Sequence, residues 1–190
     1  MKTLNQNYTE EIIINNSRFI CYIFPLNENQ INEKLEEIKK LHPKATHYCY
    51  GYIFDEIKHA NDDNEPSGTA GQPILNVLEK ENLNRVLAIV VRYFGGIKLG
   101  AGGLVRAYTK AVTNTLKHSQ YIELIPGYVI EITFSYEEEK NVQYILNKSE
   151  IIKKEYLEEI KYQCKVDEET YEKLEKYQPH IIQKEYIKQN

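Results

Sequence analysis

The sequence has few of the features that mark secreted or membrane-bound chains. Its three cysteines, Cys21, Cys49 and Cys164, are widely spaced and odd in number, which argues against a disulfide framework and favours a reducing compartment. The N-terminus MKTLNQNYTE is polar and does not resemble a secretory signal, and no apolar run approaches the roughly 20 residues that a membrane helix needs. We therefore expect a cytoplasmic protein without membrane association.

Acidic residues are absent from one long segment. Between Glu81 and Glu123 there is no Asp or Glu, although six cations fall there: Arg85, Arg92, Lys98, Arg106, Lys110 and Lys117. From Gln120 onward the chain instead has ten lysines, no arginine and fifteen acids, a local balance of −5. Since the whole chain has a net charge of only −4, this asymmetry indicates a basic working surface on an otherwise acidic protein.

The first 120 residues have the pattern of a mixed α/β domain. Two short strands are predicted at 10–15 and 18–24, parted by an Asn-Asn-Ser turn. An amphipathic helix follows, which Asn27 is expected to cap and Pro43 to end. Alternation in HYCYGYIF then predicts a strand with its tyrosines on one face.

A buried strand, a glycine-rich turn and a helix are predicted between residues 86 and 117. Residues 86–91, VLAIVV, are all apolar, which is typical of a strand buried on both faces. On the helix, expected over about 102–117, the cations Arg106, Lys110 and Lys117 lie together on the outer side. The predicted buried arc of this helix comprises Leu104, Val105, Tyr108, Ala111, Val112, Thr115 and Leu116.

A linker is predicted at residues 119–127, which end in Pro126-Gly127, with a second domain after it. That domain has the order strand, helix, strand, strand, helix, strand, which is typical of the ferredoxin-like arrangement. Its carboxylates fall on solvent-facing helical positions and form no catalytic cluster. We therefore predict an α+β protein of two domains, 1–120 and 128–190.

The glycine-rich turn is the first candidate binding site. RYFGGIKLGAGGLVRAY (92–108) fails the phosphate-loop pattern because Ala101-Gly102 replaces Lys-Ser/Thr, and Val105 breaks the dinucleotide fingerprint. Neither ATP nor NAD is supported, and we predict no cofactor. A glycine turn entering a helix N-terminus still favours an anion, while glycines that serve only tight packing and positive φ are the alternative.

The second candidate is the acidic loop NDDNEPSGTAGQP (61–73). Its carboxylates suit a hard cation and its hydroxyls a phosphate or a nucleophilic role, but the spacing is not that of an EF-hand and Ser67 lacks a nucleophile elbow. An ordered loop held by its own polar side chains is the favoured alternative. His47 and Cys49 have neither zinc-site spacing nor the separation of a Cys–His pair, so no metal is predicted.

Two strings in these candidates resemble a known family. NDDNEPSGTAGQPIL (61–75) followed by VVRYFGGIKLGAGGLVRAY (90–108) is similar to the paired signature of the IMPACT/YigZ family, and the resemblance covers nearly the whole chain. It implies a ribosomal-protein S5 domain 2-like N-terminal domain, a C-terminal domain similar to a late domain of elongation factor G, and a link to translation. Asn64 departs from the glycine usual there, but asparagine also tolerates positive φ.

Eukaryotic relatives in this family regulate an amino-acid-starvation kinase by binding its ribosome-associated activator. Their N-terminal interaction domain has no counterpart in this sequence, so that role is not expected here. The resemblance implies one candidate pocket, without individual roles for its members. These are Asp62, Asp63, Glu65, Ser67, Gly68, Thr69, Arg92, Gly95, Gly96, Lys98, Gly100 and Arg106, to which the row of helix cations adds Lys110.

We predict a translation-associated regulatory protein that contacts RNA or the ribosome through a basic glycine-rich surface, and a protein partner in translation control is also compatible with the sequence. Two alternatives stay open. One is a hydrolase of a phosphorylated or peptide substrate that uses Ser67 or Thr69 beside the basic turn. The other is a protein-interaction module without catalysis, and a non-enzymatic role is favoured over an enzymatic one.

Overall fold

Six strands precede residue 94 in the computed structural model, which describes residues 1–26 and 30–189. They are Lys2–Leu4 (β1), Tyr8–Ile14 (β2), Ser17–Pro25 (β3), His47–Phe54 (β4), Ile57–Asn61 (β5) and Val86–Tyr93 (β6). Strands β2 to β6 form an antiparallel sheet in the order β2-β3-β6-β4-β5. The predicted turn between β2 and β3 is confirmed, since Asn15 and Asn16 both have the positive φ that a two-residue hairpin requires.

Helices cover both faces of this sheet. Ile31–Leu41 (α1) packs on one face, and Gly71–Lys80 (α2) and Gly100–Lys117 (α3) pack on the other. The central strand β6 is buried on both faces, as predicted, because its alternate side chains enter the two separate apolar clusters. Asn27, the predicted cap of α1, lies outside the described residues.

The buried side of α3 differs from the prediction at two positions. Val105 is 37% exposed, whereas Ala107 is fully buried. The buried positions follow a spacing of three and four residues from Leu104, and Val105 lies one step of about 100° away from that line. From the sequence Val105 is expected to be buried because it is apolar, although the helix turns it towards solvent.

The second unit contains the predicted order of elements. Its strands and α-helices are Tyr121–Phe134 (β7, whose first two residues precede the unit), Glu139–Ile145 (α4), Glu150–Tyr156 (β8), Ile160–Asp167 (β9), Glu168–Leu174 (α5) and His180–Lys188 (β10). The strands run antiparallel in the order β10-β7-β9-β8, and a core of its own lies beneath them. The chain divides into the units Met1–Ile122 and Glu123–Asn190.

The predicted linker at 119–127 is for the most part strand. β7 runs without interruption through Pro126 and Gly127, because Gly127 is paired with Asp167 on one side and with Glu185 on the other. A Cβ at Gly127 would lie 2.6 Å from the carbonyl oxygen of Val166. Pro-Gly therefore marks a close approach between strands here and not a flexible connection.

All three cysteines are free and fully buried. Burial raises the pKa of Cys21 and of Cys164 to about 12 each, and it raises the pKa of Cys49 still further. These thiols therefore stay protonated at neutral pH and act as small core residues. Among the described helices, none combines the length and hydrophobicity that crossing a membrane requires.

Candidate functional site

The acidic loop is organised around the carboxylate of Asp62. This carboxylate accepts hydrogen bonds from the backbone N–H groups of Gly68 at 2.7 Å, Ala70 at 3.0 Å and Gly71 at 2.8 Å. Burial raises the pKa of Asp62, but the three backbone donors outweigh it, so the pKa lies below its ordinary value. Asp62 thus holds the loop closed and fixes the start of α2.

Asp63 joins the loop to the neighbouring strand. Its Oδ2 accepts from the backbone N–H of Tyr48 at 2.6 Å, and its carbonyl oxygen accepts from His47 Nδ1 at 2.8 Å. Asp63 and Asn64 both have positive φ, 40° and 66°. Asn64 therefore adopts a backbone conformation that asparagine tolerates, as the sequence predicts.

Glu65 connects the loop to the interior of the first unit. Its Oε1 accepts from Arg92 Nη1 at 2.5 Å and from the Tyr108 hydroxyl at 2.7 Å, and it lies 3.8 Å from His47 Nε2. Glu65 is 8% exposed and Arg92 is 5% exposed. The acidic loop, β6 and α3 therefore meet at one carboxylate oxygen.

Tyr108 and Cys49 complete this buried cluster. Cys49 Sγ lies 3.3 Å from the Tyr108 hydroxyl and 3.0 Å from the carbonyl oxygen of Asp62. Burial, together with Cys49 and Glu65, raises the pKa of Tyr108, so its hydroxyl stays protonated and donates to Glu65. From the sequence Tyr108 is expected only to be a core residue, since nothing in its spacing indicates a partner 43 residues away.

Glycine is needed at different positions of the turn for different structural reasons. A Cβ at Gly95 would lie 2.1 Å from the carbonyl carbon of Asn16, so Gly95 allows the turn to touch the β2–β3 hairpin. Gly96 and Gly100 instead have positive φ, 84° and 69°, with open space where a side chain would be. Helix α3 begins at Gly100 with no side-chain cap on its free N–H groups.

Two of the six cations in the acid-free segment form ion pairs with acids from elsewhere in the folded chain. Arg85 binds Asp55 through two nitrogens, at 2.8 and 3.2 Å, and Arg92 binds Glu65. Both acids precede the segment in sequence and reach the cations through the sheet and the acidic loop. Arg92 is therefore an interior residue, and it does not lie on the surface with the other cations of the turn.

The other four cations are exposed and form no ion pair with any residue that the structure describes. Lys117 Nζ donates to Asn114 Oδ1 at 3.2 Å. A Cβ at Gly102 would lie 3.6 Å from Arg106 Nη1, which places this guanidinium beside the first turn of α3. We call this set the basic surface, and it consists of Lys98, Arg106, Lys110 and Lys117.

The loop hydroxyls are not arranged for nucleophilic attack. Thr69 Oγ1 donates to the carbonyl oxygen of Pro66 at 2.6 Å, which is a local loop bond. Ser67 is exposed and has no hydrogen bond to a basic side chain within the described residues. In the same part of the chain no group of three His, Cys, Asp or Glu side chains is placed to hold a metal ion. The geometry favours an ordered structural loop.

Comparisons with known proteins agree on one family. The family model described as the Impact N-terminal domain matches residues 15–116. The chain is 42% identical over 173 residues to the IMPACT family member YvyE of Bacillus subtilis, covering 89% of this chain and 78% of the relative. It is also 41% identical to the IMPACT family member YigZ of Escherichia coli, over 44% of this chain and 43% of that protein.

A solved structure is similar over both units. A crystal structure of a hypothetical protein is similar with a TM-score of 0.72 and 26% identity, and the match covers 95% of each chain. The two-domain translational regulator Yih1 matches with 18% identity, over 60% of this chain and 46% of that one, at a TM-score of 0.33. A TM-score that low does not establish a common fold.

Proposed function

The chain belongs to the IMPACT family, and on that premise we propose that it is a cytoplasmic regulator of translation that contacts RNA or the ribosome. The family resemblance supplies the link to translation. The contact is made through the basic surface, and the acidic loop supports this surface from within. The exposed cations without ion pairs are the observation that carries the proposal.

The family resemblance, and for the second unit the arrangement of its strands, support the finer fold assignments that this proposal includes. We assign the first unit to the ribosomal-protein S5 domain 2-like fold and the second to the ferredoxin-like fold. The element order β-α-β-β-α-β and the strand order β10-β7-β9-β8 support the second assignment. Both folds recur in components of translation, which is support by analogy.

Electrostatics favours a phosphate at the basic surface. The N-terminus of α3 has free N–H groups and a positive dipole end, and the Arg106 guanidinium lies beside it. The positive end of the α3 dipole and the Arg106 guanidinium together make the local electrostatic potential positive, so both stabilise an anion bound there. The phosphates of RNA supply such anions in series, along the line that Lys110 and Lys117 continue.

A binding experiment at two salt concentrations tests the proposal. We expect the wild type to bind structured RNA or ribosomes at low salt and to lose affinity as salt rises. The triple variant Lys98→Ala, Arg106→Ala, Lys110→Ala should bind more weakly, and its slope of log affinity against log salt should be shallower by about 2–3.

A matched triple variant separates this surface from general charge. Lys44→Ala, Lys80→Ala and Lys140→Ala remove three other exposed lysines and change net charge equally. This control should bind as the wild type does. Absence of wild-type binding at low salt, or an equal loss in the control, would refute the proposal. Turnover of a phosphoester or peptide that Ser67→Ala abolishes would support the hydrolase instead.

A further inference from the structure

Phe94 is a large apolar side chain presented to solvent at the start of the glycine-rich turn. It is 47% exposed and follows directly after β6. Exposure of a single apolar side chain is common at protein surfaces, so the contacts around the ring decide whether it has a role.

The ring of Phe94 rests on a buried cation. The Arg92 guanidinium carbon lies 5.5 Å from the centroid of Phe94 and 5.4 Å from the centroid of Phe19, so the guanidinium sits between two rings. Arg92 is itself held by Glu65 in the interior. One face of Phe94 is therefore supported by a fixed group, while 47% of the residue stays exposed to solvent.

The backbone on both sides of this ring is also fixed. The Phe94 N–H donates to Thr46 Oγ1 at 3.0 Å, and the Gly95 N–H donates to Ser17 Oγ at 3.1 Å. Gly95 packs directly against the hairpin between β2 and β3. A ring with two anchored backbone groups and a supported face needs little ordering on binding, which lowers the entropic cost of a contact.

Phe94 and Lys98 are four positions apart, so the Cα atoms of the ring-bearing residue and of the first cation of the basic surface are at most about 14 Å apart. An aromatic face beside unpaired cations is the combination that binds single-stranded nucleic acid, because bases stack while phosphates meet the cations. An apolar protein segment would gain nothing from the cations. A duplex keeps its bases stacked inside.

We infer that Phe94 stacks on an unpaired base of single-stranded RNA whose phosphates occupy the basic surface. The inference rests on the proposed function and narrows its ligand to RNA with unpaired bases. Arg92 and Glu65 act as positioning residues beneath the ring, while Lys98 and Arg106 hold the neighbouring phosphates.

Fluorescence of 2-aminopurine tests the stack. The probe is a single-stranded RNA containing this base, compared with a hairpin closed by a non-nucleotide linker, in which the same base is paired and no other base is unpaired. Phe94→Leu keeps an apolar side chain but removes the ring, and we expect it to weaken single-strand binding by about 5- to 100-fold. It should also abolish the quenching of 2-aminopurine on binding and leave hairpin binding unchanged.

Three further variants control for folding and for the loss of any exposed ring. Phe94→Tyr and Phe94→Trp keep a ring, so they should retain quenching and single-strand affinity. The comparison of these two variants with the wild type tests the stacking inference even if Phe94→Leu folds poorly. Tyr144→Leu removes a ring that is 76% exposed in the second unit and should change nothing.

The outcomes separate the two proposals. If the basic-surface triple variant loses RNA while Phe94→Leu binds single strands as the wild type does, the stacking inference is wrong and the proposed function stands. A wild type that prefers the hairpin also overturns the inference, as does a protein partner whose binding needs Phe94 while RNA binding does not. A wild type that binds no RNA refutes both.

Discussion

At the scale of single residues, the buried pair of Glu65 and Arg92 determines how the acidic loop is held. Removal of one partner from such a pair leaves an uncompensated charge in the interior. We expect Glu65→Ala to lower the free energy of unfolding by about 3–5 kcal/mol, measured by urea denaturation at neutral pH. Glu65→Leu combined with Arg92→Met should recover much of this loss, because no charge is then buried.

An exposed ion pair provides the control for this comparison. Arg18 and Glu11 are bonded at 2.6 Å on the surface, with side chains that are 48% and 37% exposed. Glu11→Ala should cost only about 0–1 kcal/mol, because solvent screens the pair. Equal losses for Glu65→Ala and Glu11→Ala would contradict the structural role that we assign to Glu65.

The carboxylate of Asp62 predicts a pH dependence of stability. Its pKa in the folded chain is below the ordinary 3.8, so its contribution is complete above that pH and is lost as the pH falls through the folded value. Asp62→Asn should be less stable than the wild type by about 1.5–3 kcal/mol at pH 7, since three bonds to a charged group are weakened. The gap should narrow below pH 3.8, and urea denaturation from pH 7 to 3 measures it. A constant gap would show that Asp62 acts by other means.

At the scale of elements, the glycine-rich turn allows a graded comparison of three substitutions. Gly95→Ala should be strongly destabilising, by about 3 kcal/mol or more, because its Cβ would overlap backbone atoms of the hairpin. Gly96→Ala meets no atom but has φ +84°, so strain of about 1–2 kcal/mol is expected. Gly102→Ala lies in α3 with no positive φ and should stabilise by about 0.5–1 kcal/mol. Thermal unfolding of the three variants tests the order, and a destabilised Gly102→Ala would contradict it.

The sequence predicts the elements best where their apolar pattern is strong. Residues 86–91 are identified as a buried strand because every side chain in them is apolar, and both faces of the sheet are indeed covered. The pattern fails at β7, where Pro126-Gly127 indicates a linker although both residues are paired within the sheet. A local turn pattern contains no information about a strand that lies 40 or more residues later in the sequence and pairs with the turn residues in the folded chain.

At the scale of the whole molecule, the two units have separate cores and opposite charge. Residues 1–122 contain fourteen cations and thirteen acids, a net charge of +1, and residues 123–190 contain ten cations and fifteen acids, a net charge of −5. The charge asymmetry is readable from the sequence. The neutralisation of Arg85 by Asp55 and of Arg92 by Glu65 is not, because partners 30 and 27 residues apart meet only in the folded chain.

Because each unit has its own core, we expect a cavity in one core to destabilise that unit alone. Ile130→Ala removes a fully buried side chain from the core of the second unit and should cost that unit about 2–5 kcal/mol. Hydrogen exchange resolved by peptide should then show lost protection after residue 123 and retained protection before it. Ile74→Ala, in the first core, should give the reverse pattern. Uniform loss of protection in either variant would mean that the chain unfolds as one cooperative unit.

The burial of all three thiols gives the chain a practical property. Reagents that attack thiolates should leave the folded protein unmodified at neutral pH, because Cys21, Cys49 and Cys164 are both inaccessible and protonated. A new surface cysteine can therefore be labelled selectively without replacing the three native cysteines. A single cysteine placed at Lys98 would accept a photo-crosslinker at the basic surface, and whatever macromolecule it captured in a cell extract would be covalently marked at a known position.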